Sequence, residues 1–212
     1  MNQLDPIDTY TKLLVKLKRR IDFGLQARSL AGLPRVVAAE VMAISVRKTC
    51  EMIAFSSLAT NRHVYSKQWA EYQKHWRLRQ VFKNLAKVTS VPYFPRAVSD
   101  ANRSIVAIDD PDAMTEESLL VAYDQASGVL HTDQSGELAE SDLLEYIVCA
   151  RGQLHSAKRL LNTHQVWPQG LKQMWLCGMN VKGLPKVQVF ELLRPAEPSD
   201  LIHGEQDEGT CG

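Results

Sequence analysis

Long apolar runs are missing from these 212 residues. The uninterrupted ones span only a few positions, too short for a membrane helix of about 20 residues. Paired cysteines are missing too. Cys50, Cys149, Cys177 and Cys211 stand far apart with no CxxC, which speaks against a zinc site or a disulfide framework and fits a reducing compartment. There is no glycine-rich phosphate loop and no internal repeat. The opening Met1-Asn2-Gln3-Leu4-Asp5-Pro6 has neither a basic nor an apolar leader region. The expectation is therefore a cytoplasmic protein without a secretory signal, metal or cofactor.

What is present is globular in kind, with 45% hydrophobic and 23% charged residues. The net charge of +1 hides a strong division. Residues 1–103 hold 18 Lys+Arg against 7 Asp+Glu, and residues 104–212 hold 7 against 17. A balance of +11 followed by −10 implies an anionic partner for the first half, or attraction between the halves within the fold or between subunits.

Periodicity predicts a mainly α protein, a bundle of about five helices with a C-terminal β-hairpin, in one domain over residues 1–194. Ile7, Tyr10, Leu14, Leu17 and Ile21 recur at 3–4 spacing, the stripe of an amphipathic helix entered at Asp5-Pro6 and ended before Gly32-Leu33-Pro34. A second helix from about Arg35 to Asn61 is apolar nearly all round and belongs at the centre. A third, from Tyr65-Ser66 to about Val88, interleaves aromatic and basic residues.

Residues 91–114, with Pro92, Pro95 and Pro111, form a long connection holding a short extended piece at Ile105–Ile108. Thr115-Glu116-Glu117 opens a fourth helix. The last helix starts near Ser141 and follows Leu143, Ile147, Ala150, Leu154, Ala157 and Leu161, with His164 extending the stripe until Pro168 and Gly170 end it. A hairpin over 172–193 surrounds a turn at Asn180–Pro185. The tail 195–212, with five acids and no Lys or Arg, reads as disordered.

Three groups of residues are candidate sites. Glu40, Arg47 and Glu51, at spacings of seven and four, fall within roughly 40° of one another on the most apolar helix. Such a buried ion-pair row is either a functional site or a self-satisfied pair that fixes register. The third helix offers Lys67, Lys74, Arg77, Arg79, Lys83 and Lys87 beside Trp69, Tyr72 and Trp76. That combination suits phosphate contact and base stacking by a nucleic-acid-binding surface, or equally a solvated basic face over an aromatic core. Arg151, His155 and Arg159 share a helix face at i,i+4 and could hold an anion. His131 and Ser127, four apart, lack the oxyanion feature that a nucleophile pair needs.

Arg159-Leu160-Leu161-Asn162-Thr163-His164 spells R-x4-H. That spacing resembles the ribonucleases of the HEPN class (higher eukaryote and prokaryote nucleotide-binding domain), helical bundles in which Arg and His from two protomers act on RNA. The resemblance implies Arg159 and His164 as catalytic residues. In a regular helix, however, residues five apart point about 140° away from each other. Three segments also resemble a family of uncharacterised bacterial proteins. They are Arg47-Lys48-Thr49-Cys50-Glu51-Met52-Ile53-Ala54-Phe55-Ser56-Ser57-Leu58, Tyr123 to His131, and Leu160-Leu161-Asn162-Thr163-His164 before a hairpin. That likeness implies the architecture without an activity, and Thr132-Asp133-Gln134 departs from the family's Asn-Pro-like turn.

Three functions follow as expectations. The first is a helical binding protein, oligomeric, whose basic N-terminal half meets an anionic partner such as RNA. The others are a HEPN-like ribonuclease and an assembly or adaptor subunit without catalysis.

Overall fold

The computed structural model describes residues 6–26, 32–61, 77–89, 91–101, 104–131, 139–169, 173–179 and 187–193. Among them the chain forms five helices and five strands, mainly α with a small antiparallel sheet. In order these are α1 Pro6–Gln26, α2 Arg35–Thr60, α3 Leu78–Val88, β1 Arg96–Ala101, β2 Ser104–Ala107, α4 Glu116–Leu130, α5 Glu140–Asn162, β3 Thr163–Val166, β4 Gln173–Gly178 and β5 Gln188–Leu193. None of the described helices is long and apolar enough to cross a membrane. The N-terminal part of the expected third helix, and the acidic tail, lie outside the described residues.

The α1 stripe buries Tyr10, Leu14, Leu17 and Ile21, as its spacing requires. Gly24 ends it at a close approach, for a Cβ there would overlap a methyl of Leu154 on α5 and lie 3.4 Å from Ser45 on α2. The central helix is α2, which packs against all four others. It buries hydroxyls as well as aliphatics, and those hydroxyls turn back on the helix itself. Thr49 donates to the Ser45 carbonyl at 2.8 Å, Ser56 to Ile53 at 2.7 Å and Thr60 to Ser57 at 3.0 Å. No buried donor is left open by these residues, which is how a polar side chain survives in a bundle core. α4 starts at Thr115, whose hydroxyl accepts from the Ser118 amide while Ser118 Oγ accepts from the Thr115 amide.

The expected hairpin is present as β4–β5, from Gln173 opposite Leu193 to Gly178 opposite Gln188. It belongs to a larger sheet ordered β2-β1-β3-β4-β5, all neighbours antiparallel. The connection 91–114 therefore contributes two strands. The last helix is shorter than expected, since α5 ends at Asn162 and Thr163 is at once its C-cap and the first residue of β3. The sheet meets the bundle through Trp175 and Cys177, both fully buried. Lys18 of α1 donates to the Met179 carbonyl at 2.7 Å and the Met179 amide to Asn162 at 2.9 Å.

Candidate functional site

The inner face of α3 consists of Leu78, Val81, Phe82 and Leu85, all buried. Phe82 stacks on Tyr93 with ring centres 6.2 Å apart and meets Phe94 edge-on at 5.9 Å. With that face fixed, Arg79, Lys83 and Lys87 at i,i+4,i+8 must point outward, and all three are exposed. Arg77, immediately before the helix, is exposed too. No acidic residue occurs on α3. The stripe is about 12 Å long at 1.5 Å per residue. Arg79 pairs with Asp124 of α4 at the surface, while Lys83 and Lys87 have no acidic partner among the described residues. Lys67 and Lys74 lie outside the described residues.

The charged row on α2 divides. Glu40 is exposed on the outer face of a helical turn whose inner face buries Ala38 and Ala39. Arg47 and Glu51 are partly buried, with Nε donating to Oε1 at 3.2 Å and Lys48 Nζ reaching Oε2 at 2.7 Å. The Arg47 guanidinium also lies 5.3 Å from the Tyr123 ring centre on α4. Glu51 thus has both oxygens satisfied from its own helix, and the pair ties α2 to α4.

Arg159 and His164 do not share a cleft in this chain. Arg159, half exposed, grips Asp110 with two parallel bonds of 3.0 Å and approaches Asp112 at 3.5 Å. Partial burial works against ionising Asp110, but bonds from the Asp112 amide and Arg159 outweigh it and hold the carboxyl below its usual range. His164 is fully buried on β3, between Ala97 of β1 and Cys177 of β4. Its Nδ1 lies 3.0 Å from the Leu161 carbonyl and its Nε2 2.8 Å from the Tyr10 hydroxyl. A carbonyl only accepts, so Nδ1 carries the proton and Nε2 accepts from Tyr10. Burial depresses the His164 pKa to about 4, against a weaker opposing effect of the Leu161 bond. The same burial holds Tyr10 well above its ordinary value. Both are therefore neutral at pH 7.

An open cleft of about 370 Å³ lies outside this junction, lined by His155, Lys158, Arg159, Asn162, Thr163 and Asp110 over Ala97, Val98 and Ile108. Its cations are already balanced, Arg159 by Asp110 and Lys158 by Asp22 at 2.9 Å. Arg151, His155 and Arg159 are all exposed along α5. Ser127 donates to the Tyr123 carbonyl at 2.8 Å, and His131 caps α4 through its backbone amide. Among the described residues no cluster of His, Cys, Asp and Glu could hold a metal ion.

The sequence offered no sign of the Tyr10–His164 bond, which joins residues 154 positions apart. The cleft depends equally on distant strands. Comparison with known proteins adds no relative: no family model matches the chain, and no curated protein or solved structure is significantly similar.

Proposed function

We propose that this chain is a helical binding protein whose outward α3 surface contacts a polyanion, single-stranded RNA being the partner it fits best. The observation that carries the reading is the stripe Arg79, Lys83 and Lys87, projected by a helix with a buried inner face and no acidic residue. A fixed row of cations exchanges condensed counterions for phosphates, the main source of sequence-independent affinity.

The charge division of the sequence is only partly spent inside the fold. Arg35 meets Glu140 at 2.7 Å and Arg79 meets Asp124, whereas Lys16, Arg19, Arg20, Lys83 and Lys87 have no acidic partner among the described residues. Exposed pairs such as Arg79–Asp124 contribute at most about 1 kcal/mol and exchange readily for phosphate.

The test is fluorescence anisotropy of a labelled single-stranded RNA titrated with protein between about 50 and about 200 mM salt. Affinity should fall as salt rises. Replacing Arg79, Lys83 and Lys87 together by Ala should lower the log–log salt slope by about 2, at roughly 0.7 per phosphate contact. Absence of binding at low salt, or a slope that the triple variant leaves unchanged, sinks the proposal.

A further inference from the structure

Val148 on α5 is 73% exposed, the highest value among the large hydrophobic side chains of the described residues. Leu144, one turn earlier, is 43% exposed. Gly152, one turn later, is exposed as well, and a Cβ placed on it would meet nothing within 4 Å. At 100° per residue, positions 144, 148, 151, 152 and 155 fall in an arc of about 100°. This outward face is apolar in the middle and charged at both ends. Glu145 precedes Val148 on it, with Glu140 at its edge, while Arg151, His155 and Arg159 follow it.

Such an order, acidic then apolar then basic, is complementary to itself turned end for end. Isologous contacts across a two-fold axis need that property, because each surface must match its own reversed copy. A basic or acidic face of uniform sign would repel its copy instead.

We propose that a second copy of this chain docks here, α5 against α5 and antiparallel, about a two-fold axis beside Val148. In that arrangement the two Val148 side chains meet at the axis. Leu144 comes level with Gly152 of the second copy, where the missing side chain leaves room. Glu145 comes level with Arg151 of the second copy. Glu145 and Arg151 have no ion-pair partner among the described residues of their own chain, so both are available for the contact. The surface is separate from the α3 stripe and does not depend on RNA binding.

Sedimentation equilibrium of the full chain over a wide micromolar range tests the proposal, with circular dichroism to verify that each variant is folded. The wild type should show a reversible monomer–dimer equilibrium. Val148→Asp should weaken it by at least about tenfold, the effect expected for a central contact. Glu145→Arg and Arg151→Glu should each weaken it, and the double variant Glu145→Arg/Arg151→Glu should regain much of the lost affinity. A single-chain mass at every concentration overturns the proposal. So does a dimer that none of these substitutions disturbs, or one in which the double reversal is no better than the singles.

Discussion

On one side of the junction between α5 and β3, Arg159 is 53% exposed and divides its charge between Asp110 and Asp112. On the other side, five residues later, His164 is 0% exposed and makes two hydrogen bonds to neutral groups. Both side chains are polar and both are fully engaged, yet their energetics differ in kind. Arg159 trades one set of strong partners, water, for another, so its net contribution is small. His164 has no water to return to. Every bond it loses stays lost, because the buried partner goes unsatisfied as well.

The largest effect that would break this contrast is truncation of the imidazole. His164→Ala should cost about 3–4 kcal/mol, combining a cavity with an orphaned Tyr10 hydroxyl, measured as a fall in unfolding free energy in urea. A loss under about 1 kcal/mol would mean that the bond to Tyr10 is not maintained.

A smaller effect comes from acid. The unfolded chain takes up a proton on this histidine near pH 6.5, whereas the folded chain refuses it until about pH 4. Between those values protons favour unfolding, so the His164 contribution is complete above about pH 6.5 and is lost as pH falls toward 4. The expected loss from pH 7 to pH 5 is about 2 kcal/mol. It should appear as a pH-dependent difference in stability between the wild type and His164→Gln, narrowing as pH falls, when both are unfolded in urea across that range.

The smallest effect sharpens the other side of the comparison. Arg159→Ala should change stability by less than about 1 kcal/mol, because Asp110 keeps its bond from the Asp112 amide at 3.0 Å. A thermal melt at low and high salt checks this, and a larger, salt-independent loss would place Arg159 among the structural residues.

Much of the helical frame was legible in advance because its signals are local. The Tyr10, Leu14, Leu17 and Ile21 stripe and the Thr115 cap depend only on neighbours within two turns. The end of α5 was not legible. Leu154, Leu161 and His164 continue one helical stripe, and no glycine or proline marks the change at Asn162–Thr163. The strand begins there because β4 pairs with Thr163–Val166 and β1 with His164 and Gln165, and β1 lies more than 60 residues earlier in sequence. The same reason hid β1 inside what looked like a connection. Within the candidate sites, spacing placed Arg47 within reach of Glu51, which it pairs with, but it could not tell that Glu40 faces outward while its neighbours Ala38 and Ala39 are buried. For α3, the order of charges was visible, while the face they occupy depended on Phe82 finding Tyr93 and Phe94.

The bond from Tyr10 to His164 has a consequence for synthesis. Translation at about 5–20 residues per second puts on the order of 10 s between the appearance of these two residues. Through that interval α1 can already meet α2, its main packing partner, but the Tyr10 hydroxyl has no imidazole to donate to. A nascent chain halted ahead of His164 therefore holds its first helix against α2 with one buried hydroxyl still unanswered, and that last bond can close only after β3 has emerged from the ribosome.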